Sequence, residues 1–310
     1  MRRWTFEERH LGTPIILQVV CEEESIARGL VRDAFEECAR IEKCYSRFLD
    51  NNILSGLNAR VGELVEVEEE LYRLLEFGVR LKEKTEGAFD LSVKAILERW
   101  GYDKSYRFLE DSSEKTRPSG AIELDEGGDS GAFRVRLSAP IELGGLGKGY
   151  AIDRMVNILY GECGEGRAVR GFCINAGGDL FVKGGDENGD PWKIVFEHPQ
   201  DVTLGIGEVK LYGPMALASS SPSRRHWKNG EKLRHHLVDP RTGDPADQML
   251  SVYVQAPAGL LADAYSTALF VLGFERAREL LPSFPVEAML ISPRGEIWKS
   301  EGFKGELYRE

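Results

Sequence analysis

Asp263 is the residue whose surroundings most demand a chemical reason. From Gln248 to Gly273 it is the only charged side chain in 26 residues. The stretch GLLADAYSTALFVLG around it is apolar nearly all round a helical wheel, which predicts a buried helix. An ionised carboxylate there is costly unless it is paired or bound to a cation. Thr267 follows four residues later, so both oxygens leave one helix face, roughly 5–6 Å apart at Cβ. An all-oxygen pair suits a hard cation such as Mg²⁺ better than zinc. The plainer alternatives are an Asp paired with a buried Arg or capping a backbone turn, with Thr267 bonded to its own helix carbonyl.

The segment IELGGLGKGYAID, residues 141–153, offers a second chemistry. A strand is expected to end at Glu142 or Leu143, followed by a glycine-rich turn carrying Lys148 and a helix from near Gly149. Free backbone N–H groups and an ammonium would then converge where a phosphate could sit. The glycines at 144, 145, 147 and 149 fit neither a P-loop nor G-x-G-x-x-G, and a tight strand-to-helix turn is the alternative. In TEGAFDLSV, residues 85–93, Phe89 beside Asp90 could hold a planar heterocycle by stacking and hydrogen bonding. A buried Phe and a helix-capping Asp would look the same. Gly177–Gly178 imply positive φ or a close backbone approach. His235 and His236 precede the turn sequence DPRTG. Neighbours in a strand point to opposite faces, so at most one faces a site. His10, His198 and His226 are scattered, which argues against a multi-histidine metal site. No G-x-S-x-G elbow supports acyl transfer.

The elements that must carry these residues follow from periodicity. Thr13–Val20 reads as a strand. Ile26 to Tyr45 recur at helical spacing, with Ser25 as the expected N-cap. A second helix is predicted over Glu69–Lys84, with Gly87 just beyond. Residues 103–132 are polar and read as an irregular excursion. Strands are expected at 171–175, 179–183, 192–196, 251–256 and 288–291, with the apolar helix between the last two. Mixed blocks rather than strict alternation predict an α+β fold, a mainly antiparallel sheet flanked by helices. No linker divides residues 1–310, which implies one domain.

Composition limits the partners. The chain has 310 residues, 42% apolar and 29% charged, as globular proteins do. Its net charge of −11 disfavours nucleic acid and anionic lipid. No apolar run is long enough to span a bilayer, and no export signal is evident, which points to the cytoplasm. The five cysteines lack any C-x-x-C pair, so free thiols in a reducing compartment are expected.

Taken together, LGT at 11–13, YSRFLDNNILSGLN at 45–58, GAFD at 87–90, IELGGLGKGYAID, INAGGD, HHLVDPRTG and ADAYSTALFVLG resemble, in order, the motifs of the FAD:protein FMN transferase (ApbE) family. The resemblance runs from Leu11 to about Gly273. It implies Mg²⁺-dependent transfer of FMN from FAD, the substrate, to a Thr or Ser hydroxyl of a partner flavoprotein, releasing AMP. It further implies Asp263, Thr267 and the Gly145 carbonyl as Mg²⁺ ligands, with Lys148 beside the FAD phosphates. Ala88, Phe89 and Asp90 would line the flavin pocket, with Leu11 and Phe48 beside them. Glu142 stands in for a flavin-site Asp, and His236 and Leu237 also contact the cofactor. Asp263 and His236 are the candidate proton acceptors. Many relatives are exported lipoproteins. The chain departs from the family at Leu11 (usually Met), Phe48 (Tyr), Asn52–Ile53 (Ser-Glu), Glu142 (Asp), Ser219–Ser221 (Thr-Ser-Gly) and Ser223 (Tyr). The same site would also serve a hydrolase making FMN and AMP, or a non-catalytic flavin-binding protein.

Overall fold

The computed structural model describes residues 1–103, 108, 120–127, 131–223, 225–229 and 232–308. In its first half lie β1 (Arg2–His10), β2 (Thr13–Cys21), α1 (Glu24–Tyr45), α2 (Ile53–Asn58), β3 (Leu64–Val67), α3 (Glu69–Lys84), α4 (Lys94–Arg99), β4 (Ile122–Glu126), β5 (Phe133–Leu137) and α5 (Gly147–Tyr160). Then come β6 (Val169–Ala176), β7 (Asp179–Gly184), β8 (Trp192–Glu197), β9 (Gly205–Leu211), β10 (Met215–Ser220), β11 (His226–Asn229), β12 (Lys232–His235), β13 (Val238–Asp239) and β14 (Asp244–Pro245). The chain closes with β15 (Ser251–Ala256), α6 (Gly259–Leu272), α7 (Phe274–Leu280), β16 (Glu287–Ile291), β17 (Ile297–Lys299) and β18 (Glu306–Leu307).

The α+β expectation holds. An eight-stranded sheet runs β1-β2-β6-β7-β10-β15-β16-β17, with every neighbouring pair antiparallel. Apart from the mostly exposed edge strands β1 and β17, its strands are apolar on both faces, so side chains alternate between two cores. On one face Leu17, Phe172, Ile174, Ala218, Val254 and Leu290 pack with α1, α5 and α6. On the other, Val20, Cys173, Leu217, Tyr253 and Met289 meet Trp192, Phe196 and Val209 of a three-stranded sheet, β18-β9-β8. A third small sheet, β3-β5-β4, packs on α3. No helix among the described residues is long and apolar enough to cross a membrane. All five cysteines are free thiols, and burial pushes Cys38 and Cys173 up to about 12.

Three expectations need correction. The first helix starts one residue before Ser25, with Glu23 at the N-cap, and the Ser25 hydroxyl bonds the Glu23 carboxylate instead. The 103–132 stretch is not wholly irregular, because β4 pairs with β5 there; its residues 104–107, 109–119 and 128–130 lie outside the described ones. No strand reaches Glu142, since β5 ends at Leu137. The Asn58 side chain takes the strand's place there: its Oδ1 accepts from the Ile141 N–H and its Nδ2 donates to the Ile141 carbonyl, both at 2.8 Å.

Helices α1, α3 and α5 are tied together by one carboxylate. Glu70 accepts from Arg40 at 2.6 and 2.8 Å, and from the Tyr45 and Tyr150 hydroxyls at 2.6 Å each. Arg40 first, then the two hydroxyls, outweigh burial and draw its pKa from the ordinary value of 4.5 to about 2. A depressed folded-state pKa stabilises above the unfolded value, and the gain is lost as pH falls from 4.5 towards 2. Glu70→Gln should therefore cost ~2–3 kcal/mol near neutral pH and flatten the stability curve across that window, as read by urea unfolding at a series of pH values.

Candidate active site

Helices α5 and α6 cross at their first turns. A Cβ on Gly149 would lie 2.3 Å from the Gly259 carbonyl oxygen and 2.7 Å from the Asp263 Cβ, so only glycine permits this approach. Neither helix has a side-chain cap at its own N-cap residue. Each caps the other instead. Asp263 on α6 accepts from the Gly149 N–H of α5 at 2.9 Å. Asp153 on α5 accepts from the Gly259 and Leu260 N–H groups of α6 at 2.6 and 2.9 Å. Each carboxylate thus satisfies orphan donors at the positive end of its neighbour's dipole.

Asp263 is 3% exposed and also meets Lys148, whose Nζ is 3.3 Å from Oδ1. The same ammonium forms a close ion pair with Asp179, which opens β7. The partner is therefore a lysine from the glycine-rich turn, not the buried arginine that composition allowed for. Burial alone would lower the Lys148 pKa, but Asp179 and Asp263 hold it above its usual value. Burial, with Asp263 adding to it, pushes Asp179 upward even against Lys148. Two carboxylates around one ammonium leave one negative charge in a dry setting, which favours a further cation.

The residues fit Mg²⁺ on that ground and on donor chemistry. The Thr267 hydroxyl makes no hydrogen bond among the described residues; Ser266 bonds the Asp263 carbonyl instead, at 2.9 Å. Gly145 is close by, with its would-be Cβ 3.6 Å from the Thr267 Cγ2. No group of three His, Cys, Asp or Glu that could hold a metal gathers among the described residues, here or elsewhere, so the donors this site offers are carboxylate, hydroxyl and carbonyl oxygens. That set leaves positions for water and phosphate, as Mg²⁺ sites do.

These groups border a cleft of about 190 Å³. The twelve residues given a site role from the family resemblance all line it: Leu11, Phe48, Ala88, Phe89, Asp90, Glu142, Gly145, Lys148, His236, Leu237, Asp263 and Thr267. Gly177, Gly178 and His235, also singled out, do not. Leu11 sits in the β1–β2 turn with φ +53°, a left-handed conformation unusual for leucine, and its N–H donates to Glu42 at 2.8 Å. Asp90 does cap a turn, accepting from the Ser92 N–H and hydroxyl at 2.8 and 2.7 Å, while Lys82 pairs with its other oxygen at 2.7 Å. Glu142 accepts from the Gly144 N–H at 2.9 Å, and burial raises its pKa despite Arg47 at 3.6 Å. The two adjacent histidines part, although β12 ends at His235 and His236 lies in the bend beyond it. His235 packs edge-on to Phe270 in the core, whereas His236 faces the cleft. The His236 Nδ1 is 3.4 Å from the Arg225 carbonyl oxygen, which assigns the proton to Nδ1 and leaves Nε2 with a lone pair. Burial, then Arg225, lowers its pKa to about 3, so the ring is neutral.

Sequence reasoning missed Asp153, Asp179 and Arg47. All three lay within the quoted motifs without an assigned role. Arg47 is buried and stacked on the Phe48 and Tyr102 rings, 4.4 and 4.6 Å from their centroids. Its Nη2 has no hydrogen-bond partner, an unspent donor in the cleft wall.

A family model matches residues 11–290. The chain belongs to the ApbE family. The FAD:protein FMN transferase of Treponema pallidum is 28% identical over 323 residues, spanning 97% of this chain and 88% of that protein. The one from Escherichia coli K12 is 26% identical over 256 residues, or 79% and 72%. The crystal structure of the ApbE protein from Thermotoga maritima matches with a TM-score of 0.80 at 27% identity, covering 97% of each chain. The flavin transferase ApbE from Vibrio cholerae shares the fold, with a TM-score of 0.77 at 19% identity over 97% and 98% of the chains.

Gly149→Ala tests the crossing. It should force α5 and α6 apart, cost about 1–3 kcal/mol, and shift the Asp263 carboxylate. The rise in melting temperature on adding Mg²⁺, expected for the unsubstituted chain, should then shrink or vanish in thermal scans.

Proposed function

We propose that this chain is an FAD:protein FMN transferase: it moves FMN from FAD to a Thr or Ser hydroxyl of a partner flavoprotein and releases AMP. The observation that carries this reading is the convergence of all twelve family-matched positions on one cleft, around a buried cluster of net charge −1. The names of the relatives support the same activity.

In this reading Asp263, Thr267 and the Gly145 carbonyl hold Mg²⁺. Bound there, the ion would supply charge neutralisation for the diphosphate. Lys148 lies against the same phosphates, anchored by Asp179. Leu11, Phe48, Ala88, Phe89, Asp90, Glu142 and Leu237 take the flavin, and Arg47 offers its spare N–H to a ring carbonyl. The acceptor oxygen attacks the phosphorus of the FMN half, and the P–O bond to the AMP phosphate breaks. AMP departs as an anion. His236, whose Nε2 is free, and Asp263 are the candidate acceptors of the hydroxyl proton; the lowered pKa of His236 makes it a weak base that orients the hydroxyl more than it removes the proton. Little protonation of the leaving group is needed, so positioning and charge neutralisation dominate.

The test is incubation with FAD, Mg²⁺ and apo-flavoproteins, following AMP by chromatography and the gain of one FMN by mass spectrometry. Turnover should stop with EDTA. Asp263→Ala should keep the fold by circular dichroism and lose ~100-fold or more in rate. Thr267→Val should be milder, about 10-fold, because water can take over one ligand position. Wild-type rates in Asp263→Ala would remove the metal assignment, and FAD cleavage without any modified protein would point to a hydrolase.

A further inference from the structure

A second cleft, of about 430 Å³, also borders Lys148. It shares Lys148, Ser219, Arg225 and His236 with the first, whereas Asp263 and Thr267 border the first alone. One wall is β8 and the residues just after it, from Lys193 to Pro199. β8 is an edge strand, paired with β9 on one side only. Val195 on this strand is 46% exposed. The opposite wall holds the Gly177–Gly178 turn between β6 and β7. Both glycines have positive φ, at +67° and +108°, as a tight hairpin turn requires. Thr13 crowds Gly177, while the space beside Gly178 is open.

We infer that the second cleft is the docking groove for the acceptor polypeptide, which lies extended along the free edge of β8 and brings its Thr or Ser hydroxyl to the Lys148–His236 junction. The inference rests on the transferase reading and deepens it. In that reading the flavin and metal contacts border the first cleft, with Lys148 and His236 at the junction. In-line displacement requires the nucleophile to arrive opposite the leaving group. Two clefts meeting at the phosphate-binding lysine provide separate approaches for donor and acceptor. His236 borders both, so its free Nε2 can meet a hydroxyl entering from the second. An exposed strand edge binds a chain through main-chain hydrogen bonds, largely independent of sequence. The open space at Gly178 leaves room for that chain. The groove also gives the glycine pair a role that a flavin pocket does not.

The test uses Val195→Cys, before and after alkylation with N-ethylmaleimide, in the full chain with FAD and Mg²⁺. Val195 touches no part of the first cleft. The probe is a library of short synthetic peptides with a central Thr or Ser, read by the mass gain of one FMN. The reference is the unsubstituted chain carried through the same alkylation, so that any effect on the native thiols, Cys173 of this cleft among them, is subtracted. Alkylation should cut kcat/KM for the peptides about 10-fold or more while FAD affinity, read by fluorescence titration, stays the same. Unchanged peptide kinetics after alkylation would overturn the groove. So would a loss of FAD affinity, because the second cleft would then hold part of the dinucleotide. An unsubstituted chain that binds FAD but modifies no peptide fails earlier: it overturns the transferase reading, and the groove with it.

Discussion

One half-buried ammonium between two buried carboxylates organises this molecule. Lys148 comes from the first turn of α5, Asp179 from the start of β7, and Asp263 from the second turn of α6. Any one of these charges alone in that setting would cost several kcal/mol. Together they join three elements at one point, and the residual negative charge lies at the mouth of a cleft. The arrangement is weak evidence for stability and stronger evidence for a site, because a hydrophobic trio would hold the fold as well.

The exchange of caps between α5 and α6 supports that cluster. Asp263 faces the positive end of α5 and Asp153 faces that of α6, across a crossing that two glycines allow. A carboxylate held by a helix N–H keeps its orientation while its remaining lone pairs stay available. Burial pushes Asp153 up in pKa, with Asp263 adding to it, yet two backbone donors oppose the shift. The same contacts that end the helices therefore aim the candidate ligand.

Much of this was legible in the sequence. The lone Asp in an apolar helix, the strand alternation and the helix at Glu69–Lys84 were visible because burial leaves a periodic trace. The partner of Asp263 was not, because Lys148 lies 115 residues away in sequence and no local pattern links the two. Asp153 and Asp179 escaped for the same reason: their partners are backbone groups and charges on other elements. Arg47 left no periodic signal, since its stacking depends on Tyr102, which another segment brings near. The strand predicted up to Glu142 failed because extended backbone held by a side chain has the composition of a strand without its ladder.

That substitution of an amide for a strand has a mechanical consequence. The stretch from Glu142 through Gly145 lines the cleft without belonging to a ladder. It is pinned at separate points: Asn58 of α2 holds Ile141 by two hydrogen bonds, the Glu142 N–H donates to the Leu91 carbonyl at 2.8 Å, and Arg47 pairs with the Glu142 carboxylate. A ladder spreads a local change along its strands, whereas separate pins confine it while β5 stays paired on both sides. The cleft wall is thus riveted to three segments distant in sequence, so its shape can be retuned at any one rivet without rebuilding the sheet.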